Sequence, residues 1–326
     1  MEGYKPPFTI TNSILSYVAS ISEKVGRITV MNNMENKPHL RRNNRIKSIH
    51  SSLKIEANSL SLSQVRDVIN GKVVLGEQKE IQEVKNAYNA YEKIAGINPY
   101  SIKDLKNFHG IMTKYIVEES GDFRRGEEGV FNGEQCIFMA PPAQFVPQLM
   151  NELFDWMKEA DGEVHSLILS SVFHYEFELI HPFSDGNGRI GRLWHTLLLS
   201  QWNSAFAWLP VESIIYSRQR EYYNVINASN EVGESTVFIE FMLSAIKAAL
   251  LEVTDIHDRH TDIVLFRQDK IETYLKAHEY IMNADVRELC NVSAATANRI
   301  LSAMVRDGKI VKAHKGKYWV YKLNHP

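Results

Sequence analysis

The residues from 181 to 192 read HPFSDGNGRIGR. Within these twelve positions sit an imidazole, a carboxylate, a glycine-flanked turn and two guanidinium groups. Gly186, Asn187 and Gly188 can line up successive backbone N–H groups as a concave nest at a helix start, where the helix dipole favours phosphate. Arg189 and Arg192 lie three residues apart, so on a helix they share a face and can reach one polyphosphate. Asp185 offers a hard oxygen ligand for Mg²⁺ bridging phosphate oxygens. His181, on the rim, can take a proton from an incoming hydroxyl. Each residue also has a plainer use: Asp185 as a helix cap, the arginines as solvated surface. Their combination in so short a run is what points to phosphate chemistry.

The same run contains GNGRIG, which matches the glycine pattern of a dinucleotide-binding turn. That turn requires a buried strand before it, a helix after it and an acidic residue about 20 positions on. Glu212 meets the last condition. The strand is missing, because Gly186 is preceded by a helical pattern ending near Ile180 and by a polar turn, and no strand-helix alternation occurs in the chain.

The elements that must carry these groups read as helices. Residues 11–28 place Ile14, Leu15, Val18, Ile21 and Val25 on one face behind a capping Thr11. Residues 40–56 and 78–95 read as two more, the latter through Ile81, Val84, Ala87, Tyr88 and Tyr91. VPQLMNELFDWMKEA follows, and then VHSLILSSVFHYEFELI, in which Leu167, Ile168, Phe173, Phe177 and Ile180 leave almost no polar face, predicting a central buried helix. Asn132-Gly133 between Val130-Phe131 and Cys136-Ile137-Phe138 predicts a hairpin, closed by Pro141-Pro142. His165, His174 and His181 do not have the spacing of a metal site, and His174 is expected to be buried and hydrogen-bonded. The basic run 39–47 is expected to form a solvated helix face.

Of the 326 residues, 44% are hydrophobic and 23% charged, the balance of an ordinary globular protein. A net charge of −2 argues against a chain that coats nucleic acid along its length. The two cysteines, Cys136 and Cys290, are far apart and suggest neither a disulfide framework nor structural zinc. No apolar run approaches the ~20 residues that span a bilayer, and the first residues lack a signal-peptide pattern. These features predict a soluble cytoplasmic protein without membrane association.

HPFSDGNGRIGR resembles the active-site motif of the Fic family, HPFx[D/E]GN[G/K]R with a further arginine three residues on. The resemblance implies a mainly α, Fic-type helical bundle with a short hairpin flap. It implies transfer of AMP from ATP to a Ser, Thr or Tyr hydroxyl of a target protein, with His181 as general base and Asp185 holding Mg²⁺. The ATP-binding run would extend from Gly186, Asn187 and Gly188 through Arg189, Ile190 and Gly191 to Arg192, with Arg189 on the α- and β-phosphates and Arg192 on the γ-phosphate. Gly188 in place of lysine favours the adenylylating branch over the phosphorylating Doc branch. Phe183 would anchor the core.

SSLKIEAN, residues 51–58, resembles the family's inhibitory helix, [S/T]xxxE[G/N], through Ser52 and Glu56, with Ala57 departing from the pattern. The implied mechanism pairs the Glu56 carboxylate with Arg192, occupying the guanidinium that the γ-phosphate needs. The hairpin at 130–139 resembles the flap that captures an extended target segment. REYYNVINASN resembles the segment lining the adenine site, which makes Tyr222, Tyr223 and Asn230 candidate nucleotide contacts. Removal of AMP with help from Glu56, transfer of another phosphate-containing group and an ATP-sensing regulatory role stay open beside this reading, as does a homodimer bearing on the inhibitory helix.

From residue 267 onward the sequence holds eleven Lys/Arg against six Asp/Glu, a net +5 that leaves −7 for the rest. IETYLKAHEYI, NADVRELC and SAATANRILSAMVRDG read as three helices, with Ser293 as N-cap and Gly308 as stop. KIVKAHKGKYWVYKL reads as a ribbon turning near Lys315-Gly316. This order resembles a winged helix-turn-helix, with Asn298, Arg299, Ser302 and Arg306 exposed opposite Ala297, Ile300, Leu301 and Met304. DNA, another protein or a second subunit could occupy that face. The expected organisation is a helical region at 1–100 carrying the inhibitory helix at about 40–57, a catalytic core at 101–250 and a winged-helix module at 265–326.

Overall fold

An apolar helix with no polar face can only be stable inside, and the element built from HSLILSSVFHYEFELI is the centre of the larger unit. The computed structural model describes residues 3–31, 38–94, 96–132 and 135–324, with the backbone alone for 28–31, 130–132, 135–138 and 255–263. It divides into two units, Met1–Leu251 and Glu252–Pro326.

In the first unit α1 (Asn12–Met31) starts on a Thr11 cap, whose Oγ1 accepts from the Ile14 N–H at 3.1 Å. Ile14, Ile21 and Val25 are buried. Leu15, expected on the same face, is 55% exposed, because one residue turns the helix by about 100° and Ile14 already fills the inward position. Helix α2 (Pro38–Ile55) buries Ile46, Ile49 and Leu53 together with Ser48, Ser51 and Ser52. Then come α3 (Leu62–Ile69), opened by a capping box between Ser61 and Gln64, α4 (Gln78–Lys93) and α5 (Ile102–Met112).

Strands β1 (Gly129–Asn132) and β2 (Gln135–Met139) pair antiparallel, with a register shift after Val130. The expected turn residue Gly133 lies outside the described residues. Helix α6 (Val146–Ala160) leads to α7 (Ser166–Ile180) and α8 (Asn187–Trp202), which pack against each other, His174 facing His195 and Gly191 lying against Phe177 and His174, among buried Phe173, Ile190 and Trp194. Full burial of each such side chain contributes roughly 1.5–3 kcal/mol. Helices α9 (Val211–Ser217) and α10 (Gln219–Val232) close the unit with the first part of α11 (Thr236–Ala277). Glu212, the residue that satisfied the dinucleotide spacing, is a buried carboxylate on α9. It accepts from Ser48 Oγ at 2.7 Å and from the Tyr91 hydroxyl at 2.9 Å.

In the second unit the end of α11 is followed by α12 (Asn283–Cys290), α13 (Ala294–Arg306), β3 (Ile310–Lys315) and β4 (Tyr318–Leu323). Ser293 caps α13, and Gly316 turns the ribbon at φ 63°. The sequence pattern extends the first helix of this module to Ile281. The helix in fact stops at Ala277, and Ile281 exchanges backbone hydrogen bonds with Tyr321, adding a third strand position to the ribbon. Ala297, Leu301 and Met304 are fully buried, while Asn298, Arg299, Ser302 and Arg306 face solvent as their spacing predicts.

Candidate active site

Helix α7 ends at Ile180, and His181 takes the left-handed conformation at φ 50°, ψ 61°. For a residue with a Cβ this costs about 1–2 kcal/mol and persists only where neighbours fix it. The His181 N–H donates to Phe177 O at 3.0 Å, and its carbonyl accepts from Arg124 Nε at 2.7 Å. Its Nδ1 lies 3.3 Å from the Glu178 carbonyl. A carbonyl only accepts, so this contact puts the proton on Nδ1 and leaves the lone pair on Nε2.

The loop that follows is stapled from within. The Phe183 N–H donates to Asn187 Oδ1 at 2.9 Å, and Asn187 Nδ2 donates to Phe183 O at 2.7 Å. Beneath it His109 is fully buried and stacked on Phe183, with ring centroids 3.7 Å apart. The Gly121 N–H donates to His109 Nδ1, so Nε2 carries the hydrogen and donates to the Asp185 carbonyl at 2.8 Å. Burial is the main reason this imidazole is pulled down to about 4, neutral at physiological pH. Gly186 opens α8 at φ 87°, and a Cβ there would meet Thr113 Cγ2 at 2.9 Å. No side chain caps α8, so Asp185 is not a helix cap.

Neither arginine is solvated. Arg189 donates to Asp185 Oδ1 at 2.6 Å and to Glu83 Oε1 at 3.1 Å. Arg192, whose side chain is 1% exposed, donates from Nε to Ser52 Oγ at 3.0 Å, and from Nη2 to Ser52 O at 2.9 Å and Glu56 Oε1 at 2.7 Å. Burial opposes the Arg192 charge, but the Glu56 carboxylate outweighs it and holds the guanidinium protonated above its ordinary range. Gly188 makes this pairing feasible: a Cβ there would lie 2.3 Å from Glu56 Oε1.

Glu56 reaches Arg192 from the end of α2. The Asn58 N–H bonds to Leu53 O and the Ala57 N–H to Lys54 O, a double-bonded helix stop whose left-handed residue is Ala57 at φ 64°. The departure from the inhibitory pattern thus falls where glycine fits without strain.

A cleft of about 470 Å³ joins these groups, lined among others by Glu56, Glu178, His181, Gly188, Arg192, Tyr222, Tyr223 and Asn230. Ser52 stands behind Arg192. The Tyr222 hydroxyl lies 3.0 Å from His174 Nε2, and Asn230 Oδ1 accepts from the Tyr175 hydroxyl at 3.0 Å. Asn187, Ile190 and Gly191 are not part of the lining. Asn187 is spent on the loop, Ile190 is in the core, and Gly191 faces Glu178 and Phe177. Asp185 sits beside the cleft, half-exposed, its second oxygen 4.0 Å from Lys79 Nζ. One accessible carboxylate suits Mg²⁺, which takes few protein ligands and completes its shell with water and phosphate.

Four further groups belong to the site: Glu83, His109, Arg124 and Glu178. Glu178 leaves a trace in the sequence, as a carboxylate on an otherwise almost wholly apolar helix, whereas Glu83 does not stand out among the charged residues of α4. Glu178, whose Oε1 has no hydrogen-bond partner among the described residues and lies 3.6 Å from His174 Nε2, is pushed up by burial to about 7. His109 and Arg124 carry no such trace, since their hydrogen-bond partners are backbone groups, most of them distant in sequence.

A Fic/DOC family model matches residues 99–199, and a DeoR-like helix-turn-helix model matches residues 267–320. The crystal structure of a Fic family protein from Desulfovibrio desulfuricans G20 is 40% identical, with 99% of each chain covered and a TM-score of 0.76. The chain belongs to the Fic family. Its fold is the mainly helical Fic fold with a helix-turn-helix module at the C-terminal end. A protein adenylyltransferase Fic from Aedes aegypti is 27% identical over 215 residues, 63% of this chain and 41% of the relative. One from Nematostella vectensis is 29% identical over 203 residues, 60% and 45% of the two. The chain therefore spans less than half the length of these curated relatives. Fic-1 of C. elegans (residues 134–508) shares the fold at 20% identity and a TM-score of 0.65, over 76% of this chain and 73% of that one.

Proposed function

We propose that this Fic protein transfers AMP from ATP to a hydroxyl of a protein, and that the described conformation is held inactive by Glu56. The observation that carries the reading is a single cleft holding both His181, with Nε2 free to accept a proton, and Arg192, the cation a triphosphate needs, already taken by Glu56. Relatives named protein adenylyltransferase support it.

In this mechanism Gly188 and Arg192 bind the phosphates, Arg189 keeps the loop closed around Asp185, and Tyr222, Tyr223 and Asn230 line the base end. The target hydroxyl gives its proton to His181 Nε2 as its oxygen bonds to the α-phosphorus, and the bond from that phosphorus to the pyrophosphate oxygen breaks. Mg²⁺ on Asp185 would supply charge neutralisation for the leaving pyrophosphate. Among the described residues the 129–139 sheet has two strands, so an extended target segment can add to an open edge. No helix among the described residues is long and apolar enough to cross a membrane.

The test is transfer of label from α-labelled ATP with Mg²⁺, with self-modification standing in for a target. Label is expected on a Glu56→Gly chain and is expected to vanish when His181→Ala is added. Persistent labelling in the double variant would remove His181 as base. Label lost instead from a pre-modified chain incubated with wild type would favour AMP removal.

The DeoR-like module supports a second proposal, that residues 267–320 bind DNA through the α13 face bearing Arg299 and Arg306. A salt-sensitive gel shift is expected from the full chain. A shift that survives removal of residues 267–326 would sink this proposal.

A further inference from the structure

Arg124 is a buried cation, 3% exposed, that among the described residues forms no ion pair. Among the described residues every hydrogen bond of its guanidinium goes to a backbone carbonyl. Nε donates to His181 O at 2.7 Å, Nη1 to Gly126 O at 2.8 Å, and Nη2 to Pro141 O and, at 3.4 Å, to Ile180 O. The Arg124 N–H adds a bond to Pro182 O at 2.9 Å. Three consecutive carbonyls, 180 to 182, are thereby fixed to one residue. They lie at the C-terminal end of α7, where the helix dipole favours a positive charge.

The other two acceptors flank the hairpin. Gly126 precedes β1 and Pro141 follows β2, and between them the Ala140 N–H donates to Glu128 O at 3.0 Å. One rigid, planar fork therefore spans both feet of the hairpin and the turn that carries His181. Lysine has one nitrogen and cannot reproduce that fan of donors. The strained backbone at His181 needs such over-determination to persist.

We infer that Arg124 is a positioning residue that sets the distance between the target-binding hairpin and the His181 base, so that a segment paired on the hairpin brings its hydroxyl within reach of Nε2. The inference rests on the adenylyl-transfer reading above. Arg124 does not line the nucleotide cleft, so its loss is expected to act on transfer and not on nucleotide binding.

The experiment adds Arg124→Lys to the Glu56→Gly chain and measures three quantities. The rate of self-labelling is expected to fall about 100-fold, the effect of displacing reacting groups by about 1 Å. The dissociation constant for ATP is expected to stay within about twofold, since Arg124 itself does not line the cleft. Amide hydrogen exchange is expected to accelerate together at two separate places, the hairpin feet at 126–129 and 139–140 and the turn at 180–184. Labelling at the parent rate, weakened ATP binding in proportion to the lost rate, or exchange that rises at one place alone would each overturn the inference. Arg124→Ala with added guanidinium ion covers an Arg124→Lys chain too unstable to assay: restored labelling supports positioning, and none overturns it. If the Glu56→Gly parent does not label at all, the transfer reading falls while the paired exchange measurement still decides the coupling.

Discussion

Glu56→Gly is expected to raise the initial rate of self-labelling about 10- to 100-fold over wild type at saturating ATP. A charge-assisted hydrogen bond, such as the part-buried one joining the exposed Glu56 carboxylate to buried Arg192, contributes roughly 1.5–3 kcal/mol, which corresponds to that range. The guanidinium does not lose its place with the carboxylate, because Nε and Nη2 remain bonded to Ser52 Oγ and O. The variant therefore frees a pre-oriented cation instead of a mobile one. The same equilibrium should move the other way with Ala57→Gly. Relieving a left-handed alanine is worth about 1 kcal/mol, so the inhibitory end of α2 holds better and wild-type labelling drops about fivefold. An unchanged rate in Glu56→Gly would mean that the pair with Arg192 does not limit the reaction.

Gly188 shows why that inhibition depends on the motif itself. With a Cβ placed 2.3 Å from Glu56 Oε1 and 2.9 Å from Arg192 Nη1, any side chain at 188 displaces the ends of both partners from the positions they hold here. A lysine at this position would push the Glu56 carboxylate out of the geometry it has here.

Much of this was legible in the sequence because it is local. The nest, the two arginines and the base lie within twelve residues, and helical spacing predicts their shared faces. Glu56 and Ser52 were reached only through a resemblance, since nothing in the spacing of 51–58 tells that α2 packs beside α8. Glu83 hides for a different reason. It sits on the inward face of α4 with Val84 and Ala87, and its value lies in two partners, Arg189 and Asn58, drawn from distant segments. Arg124 was illegible because backbone carbonyls accept without leaving any mark in residue type. Ile281 shows the opposite error: an apolar residue seven positions after Tyr274, at helical spacing, is equally at home in a strand facing the same core, and periodicity over so short a run cannot separate the two.

The stability of the whole chain should peak near pH 6.5, fall gently to about pH 4.5 and then collapse. Three buried histidines set the acid side. Burial pulls His109 down to about 4 and His174 to about 3, and it lowers His195 well below 6.5. A lowered imidazole means that the unfolded chain binds the proton first, so each contributes stability above pH 6.5 that is lost as the pH falls towards its folded value. Two carboxyls act against them. Burial raises Glu176 and Glu178 from 4.5 to about 7, so the folded chain holds two protons that the unfolded one has released, and this stabilises the fold below pH 7. Between 4.5 and 6.5 the unfolded chain binds at least three extra protons on histidine, with half-buried His50 and His165 also lowered by burial and adding to them, and two fewer on carboxyls. A difference of at least one proton gives a slope of about 1.4 kcal/mol per pH unit or more. Below 4.5 the carboxyls are protonated in both states, and the histidines alone steepen it to about 4 kcal/mol per unit or more. Asp122 and Glu221, lowered by Lys106 and Arg218 respectively, are exposed and add only a screened contribution in the same direction. Glu178→Gln tests the compensation directly. It removes one of the two opposing protons, so the slope between pH 4.5 and 6.5 in denaturant titrations should steepen by about 1.4 kcal/mol per pH unit. An unchanged slope would show that Glu178 is ionised in the folded chain, its charge shared with Arg192 across the floor of the cleft.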